Sequence, residues 1–215
     1  MRRMDPLHEH AARIGLAATA KYGFALAGSY AIQAHGFLDR ISDDVDLFTV
    51  NGERHQFGDA VTAAIDAYRD AGFEVEVPLS NDGFARLLLR APDGRPFKVE
   101  LGINWRAHQP VPLAIGPVLH PDDAVGGKVT ALYGRAEVRD FVDLDAVLRS
   151  GRYSTADLMR LASSADPGFV PEMFVHSLNA LNRFPDQAFS VHGLAPSAIT
   201  MLRDRFARWA AEIGH

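Results

Sequence analysis

The sequence predicts an α+β fold in two lobes: a mixed sheet flanked by helices over residues 1–117, and an all-helical lobe over 118–215. Three observations carry this prediction. Helical and strand periodicities alternate through the first half in the order α-β-α-β-α-β-β-β. From Pro121 onward the apolar repeats all have helical spacing. Between the two, QPVPLAIGPVLHP concentrates four of the twelve prolines, a composition that breaks regular structure and places a lobe boundary near residues 110–120.

Each element has a local cause. Residues 5–21 carry Leu7, Ala11, Ile14 and Ala18 at helical spacing, and a Tyr-Gly pair closes the helix. FALA (24–27) is a short buried strand, broken by Gly28; Ser29 is then an N-cap for a helix of about two turns ending at Gly36. DVDLFTV is a strand ended by Asn51-Gly52, and 54–71 is a helix with Phe57, Val61, Ala64, Ile65 and Tyr68 on one side. FEVEVPL (73–79), FARLLLR (84–90) and PFKVELGINW are strands, the last two joined by the turn PDGR. Helices follow at 121–133, 137–149, 155–165, 170–182 and 196–213. The last sets Ile199, Leu202, Phe206, Trp209 and Ile213 opposite Arg203, Arg205 and Arg208.

Composition narrows the chemistry. With 215 residues, 47% hydrophobic and 23% charged, the chain has the make-up of a soluble globular protein. No apolar run approaches the roughly 18 residues that span a bilayer, and the N-terminus lacks a secretory apolar segment, so a cytoplasmic location is expected. Zero cysteines exclude disulfides, thiolate zinc sites and a cysteine nucleophile. Any metal is held by carboxylate, imidazole or carbonyl, which favours hard cations such as Mg²⁺, with Mn²⁺ as the alternative. A formal charge of −5 gives no global attraction for nucleic acid, so a phosphate partner needs a local basic patch.

RISDDVDLF (40–48) packs Asp43, Asp44 and Asp46 into four positions, a repulsion that asks for a cation, an arginine or full hydration. Strand positions i and i+2 share a face, so Asp44 and Asp46 aim their carboxylates at one point while Val45 and Leu47 face the other way. Two such groups hold a divalent ion or an ion pair; Glu100, in KVELG, is a third candidate. Taken alone the stretch reads as an Asp-rich turn, with Ser42 and Asp43 capping local backbone. Gly28-Ser29 stands upstream at a strand-to-helix junction, where free N–H groups and the helix dipole favour phosphate.

Strand, Gly-Ser, short helix and D-x-D on the next strand together resemble the polymerase-β-like nucleotidyltransferase superfamily, and within it the AbiEii/MenT-type toxins. That subfamily's R-x-[ST]-x-D-x-D pattern is met by Arg40, Ser42, Asp44 and Asp46. Its helical Lys followed by R-D-x-x-D-L is met by Lys128 and by Arg139, Asp140, Asp143 and Leu144. The toxins often carry Gly-Gly where this chain has Gly28-Ser29, and after residue 150 no motif matches.

The resemblance implies a polymerase-β-like N-terminal lobe and a metal-dependent transfer of NMP from an NTP to an acceptor hydroxyl. It implies Asp44, Asp46, Lys128 and Asp143 as catalytic, Gly28, Ser29, Arg40, Ser42 and Lys128 as nucleotide-binding, and Asp44, Asp46 and Glu100 as metal ligands. It also implies the 3′ end of tRNA as acceptor and a cognate antitoxin as partner. Arg203, Arg205 and Arg208, or Arg135 and Arg139, could supply an RNA patch. The rivals are an antibiotic nucleotidyltransferase acting on a cationic lincosamide or aminoglycoside, and a nucleotide-binding module without turnover.

Neighbouring motifs read differently. GGK (126–128) looks like half a phosphate-binding loop, but the complete motif needs Gly at 122 and Ser or Thr at 129, where this chain has Asp122 and Val129. On the helix surface, spacing alone pairs Arg139 with Asp143, four residues apart, and leaves Asp140 to anchor the helix or position Arg139. His8 and His10 point apart, and His35 precedes the Gly36 stop as a cap. Arg106 and His108, just after the third carboxylate strand, line an acceptor cleft or a solvated loop.

Overall fold

The computed structural model describes residues 4–214, which divide into two compact units, one ending at His120 and the other starting at Pro121. In the first, Asp5 caps α1 (Pro6–Ala18), its carboxylate accepting from the Leu7 and His8 N–H groups at 2.8 and 3.3 Å. A 3₁₀ turn (Ala20–Tyr22) leads through Gly23 to β1 (Ala25–Leu26) and α2 (Gly28–Ala34). β2 (Asp44–Thr49), a 3₁₀ segment (Asn51–Gln56) and α3 (Phe57–Asp70) follow. Then come β3 (Glu74–Ser80), β4 (Phe84–Arg90), β5 (Pro96–Ile103), β6 (Val111–Leu113) and β7 (Gly116–Val118).

The seven strands form one sheet in the order β3-β4-β5-β2-β1-β7-β6. β2 runs parallel to β5 and β1 parallel to β7, while the other neighbours are antiparallel, so the sheet is mixed. Strand alternation gives it two unlike faces. Val45, Leu47, Ala85, Leu87, Leu89, Val99 and Leu101 are fully buried, and α1 and α3 contact each other and this part of the fold through Ala11, Ala60, Ala64 and Tyr68. Tyr68 Oη donates to the Ala11 carbonyl at 3.1 Å, and burial pushes its phenol pKa upward. The opposite face carries Asp44, Asp46, Lys98, Glu100 and Arg86.

Two local expectations are corrected. The proline-rich stretch forms β6 and β7, whose three-residue length lets Pro112 and Pro117 sit on short strands where few ladder donors are lost. Ser29 is not the N-cap of α2: Ala27 occupies that position, and the Ser29 hydroxyl accepts from Arg40 Nη2 at 3.1 Å. His35 does lie at the C-cap, with its Nε2 2.7 Å from the Leu119 carbonyl.

The second unit contains α4 (Pro121–Arg135), α5 (Val138–Arg149), α6 (Thr155–Ala165), α7 (Pro171–Asn179), α8 (Asp186–Ser190) and α9 (Pro196–Ile213). Its core is aromatic: Phe141 packs edge-on against Phe206 at 5.2 Å, and Phe174 against Trp209 at the same centroid distance. A Cβ on Gly126 would lie 3.1 Å from the Leu161 carbonyl oxygen, so this glycine lets α4 approach α6 rather than wrapping a phosphate. Among the described residues no helix is long and apolar enough to cross a membrane.

Candidate active site

The site begins with a backbone junction. The Ala27 N–H donates to the Asp46 carbonyl at 2.8 Å, which fixes the start of α2 beside the middle of β2. Gly28 follows with φ of +59°, and a Cβ built there would lie 1.7 Å from Asp46 Oδ2. The Asp46 carboxylate therefore occupies the space that any side chain at 28 would fill. Asp44, on the same face, is 5% exposed; its Oδ1 accepts from Ser42 Oγ at 3.0 Å and its Oδ2 lies 3.6 Å from Lys98 Nζ.

Glu100 stands in register with Asp46 on the parallel neighbour β5, and Arg86 on β4 donates to its Oε1 at 2.8 Å. Lys98 and Arg86 answer the crowding of carboxylates, and neither was singled out from the sequence. The signal for Lys98 was present in K-V-E, where alternation puts it on the Glu100 face; Arg86 requires the strand register. Asp44, Asp46 and Glu100 offer hard oxygen donors on one face, of the kind that Mg²⁺ or Mn²⁺ takes, though the three are not drawn within 4.8 Å of one another; the Asp46 group is lodged in a recess that only glycine leaves open. Asp43 is exposed and lies outside it.

Arg40 and Ser42 are buried, at 7% and 3% exposure. Arg40 reaches the Ser29 hydroxyl and the Ile41 carbonyl, while its own carbonyl accepts from Gln33 Nε2 at 3.1 Å. The Tyr30 hydroxyl donates to the Ser42 carbonyl at 3.3 Å and lies 2.7 Å from His8 Nδ1. Burial raises the Tyr30 pKa and lowers that of His8. The R-x-S-x-D segment is thus tied to both α1 and α2.

In the helical unit, Lys128 Nζ lies 2.8 Å from Asp143 Oδ2, with side-chain exposures of 7% and 0%. Asp143 thus lies beside Lys128, and Arg139 Nε lies 2.8 Å from Glu137 Oε2. Asp140 is fully buried, accepts from Arg135 at 2.7 and 2.9 Å and completes a capping box with Glu137, so it anchors α5.

Of the arginines expected to form basic patches, Arg208 is exposed and others make contacts within the helical unit. Arg203 holds Asp186 and the Leu181 and Phe184 carbonyls, and Arg205 pairs with Asp145, which also takes Arg149. Burial outweighs both guanidiniums and raises the Asp145 pKa. Of the two residues after β5, Arg106 donates to the Gly23 carbonyl at 3.1 Å, and His108 stacks on His120 with centroids 4.2 Å apart.

Comparison with known proteins adds the family. The model for the nucleotidyl transferase AbiEii toxin of type IV toxin–antitoxin systems matches residues 15–210. The crystal structure of JHP933 from Helicobacter pylori is similar, with a TM-score of 0.62 and 15% identity over 98% of this chain and 93% of that one. So is the nucleotidyltransferase toxin MenT4 from Mycobacterium tuberculosis, with a TM-score of 0.58 and 19% identity over 95% and 87%. Comparison with curated proteins returns no match.

Proposed function

Because the chain belongs to the AbiEii family of nucleotidyltransferase toxins, we propose that it uses a divalent cation to transfer NMP from an NTP to the 3′ end of tRNA. Membership makes it a nucleotidyltransferase of the toxin type; the acceptor, the metal and the residue roles are our own reading. The observation that carries it is the alternation of Asp44 and Asp46 on β2, with Glu100 in register and the Asp46 carboxylate over Gly28.

Asp44, Asp46 and Glu100 would hold Mg²⁺ or Mn²⁺, which when bound supplies charge neutralisation and polarises the attacked α-phosphate. The acceptor oxygen bonds to the α-phosphorus as the bond to the β-phosphate's bridging oxygen breaks, and pyrophosphate leaves. No covalent enzyme intermediate is needed, so the chain's work is positioning and electrostatics. Gly28 and Ser29 receive the nucleotide at the start of α2, Arg40 steadies the Ser29 hydroxyl, and Ser42 orients Asp44. Lys128, a compact charge on a long stem, is assigned to the triphosphate, with Asp143 setting its position.

Nucleotides added to the 3′ end would block aminoacylation, and a cognate antitoxin protein would restrain the reaction. NTPs and tRNA place it in the cytoplasm. Labelled NTPs offered with total tRNA, or with a panel of lincosamides and aminoglycosides, test the acceptor. Label in RNA alone is expected. Label on a drug alone would make the protein an antibiotic-modifying enzyme, and Mg-NTP binding without pyrophosphate release would leave a nucleotide-binding module.

A further inference from the structure

A pocket of about 550 Å³ opens at the C-terminal ends of β2 and β5, walled by Val50, Asn51, Arg54, Asn104, Trp105 and Arg106. The two strands are parallel, so both chains leave the sheet at the same edge, and the Asn104 N–H extends their ladder by donating to the Thr49 carbonyl at 2.8 Å. Alternation carried one step past the strand ends puts Val50 and Asn104 on the face of Asp46 and Glu100. Four residues of extended chain separate Val50 from Asp46, about 13 Å.

The walls are unlike those of an apolar cavity. Trp105 is 45% exposed, whereas Trp209 is 1% exposed. An indole left in water forgoes one of the largest burial gains open to a side chain, so its position calls for a partner. Arg54 donates to Asn51 Oδ1 at 2.9 Å and to the Asp82 carbonyl at 3.4 Å, and Arg106 donates to the Gly23 carbonyl. The Arg54 acceptors are neutral, so these bonds orient its guanidinium without cancelling its charge.

A flat indole, an aimed guanidinium and two carboxamides match the chemistry of single-stranded nucleic acid: a base stacks, a phosphate pairs, and a base edge finds amide partners. We propose that this pocket is an acceptor subsite for single-stranded RNA, in which Trp105 stacks on a base a few nucleotides in from the reacting end and Arg54 takes a phosphate. It rests on RNA being the acceptor. It also gives an acidic chain, in which Arg135, Arg139, Arg203 and Arg205 are engaged in ion pairs, a local site for RNA.

Tryptophan fluorescence of the full chain, titrated with a short single-stranded RNA, tests it directly, because buried Trp209 gives a constant background. Quenching is expected, and Trp105→Ala weakens RNA binding by about 5- to 100-fold. Trp105→Phe recovers part of the loss, and the KM for NTP stays unchanged while that for RNA rises. Arg54→Gln flattens the dependence of log K on log salt by about 0.7. Absence of quenching, unaltered RNA affinity in Trp105→Ala, or equal quenching by duplex RNA overturns the subsite. Quenching by RNA that never receives a nucleotide keeps the RNA site and removes the acceptor reading; transfer to RNA with unaltered Trp105→Ala affinity removes the subsite alone.

Discussion

At the scale of single residues, Gly28 decides whether Asp46 can be where it is. A side chain there would need a left-handed backbone and would collide with the carboxylate 1.7 Å away. Gly28→Ala is expected to lower nucleotide transfer by at least about 100-fold, since a displacement of about 1 Å at a reacting centre has that effect. It should also cost about 1–2 kcal/mol of stability for the left-handed conformation. Steady-state transfer and urea unfolding of the purified variant check both. The Asp44/Asp46 alternation was legible because strand geometry forces it. The role of Ser29 was not: its hydroxyl serves Arg40, eleven positions on, and local sequence carries no mark of that contact.

At the scale of elements, α4 and α5 are joined by the buried Lys128–Asp143 pair. Removing one charge leaves the other in a poorly hydrated place without this counter-charge, so Asp143→Ala should cost about 3–5 kcal/mol. The double variant Lys128→Met/Asp143→Leu should regain most of that stability but not transfer, because the proposed phosphate contact stays missing. Thermal unfolding and transfer rates, measured on both proteins, separate the structural from the functional share. The long helices were legible from their apolar stripes, α9 most clearly. β6 and β7 were not, because three residues with a proline carry too little pattern to reveal a strand held in place by β1. Spacing on α5 alone pointed Asp143 to Arg139; the family resemblance set it beside Lys128, and the packing of α4 on α5 brings the two together.

For the molecule as a whole, pH should act on stability through His8. Burial lowers its pKa below 6.5, outweighing the carboxylates of Asp5, Asp44 and Asp43, and its Nδ1 faces the Tyr30 hydroxyl. The unfolded chain therefore takes up a proton that the folded chain resists. The contribution is fully present above pH 6.5 and is lost as pH falls toward the folded value. Urea unfolding between pH 7.5 and 5.5 should show a decline of up to about 1.4 kcal/mol per pH unit, reduced in His8→Gln. α1, α2 and the Ser42 segment meet at the Tyr30 hydroxyl, so protonation of His8 acts on the contacts that hold the segment leading to Asp44.

The α+β fold and the family were legible together because the motif pieces keep their order from Gly28 to Leu144. The pocket beside Trp105 was not, since it is assembled from two strand ends distant in sequence. The central claim is that the β2 carboxylates make the reaction possible. It is tested by transfer of labelled NTP to RNA by Asp44→Ala and Asp46→Ala, each first shown to unfold like the parent protein. Loss of at least about 1,000-fold in rate, the scale expected when a charge-stabilising group is removed from a transition state, is predicted; full transfer by either variant would contradict the account.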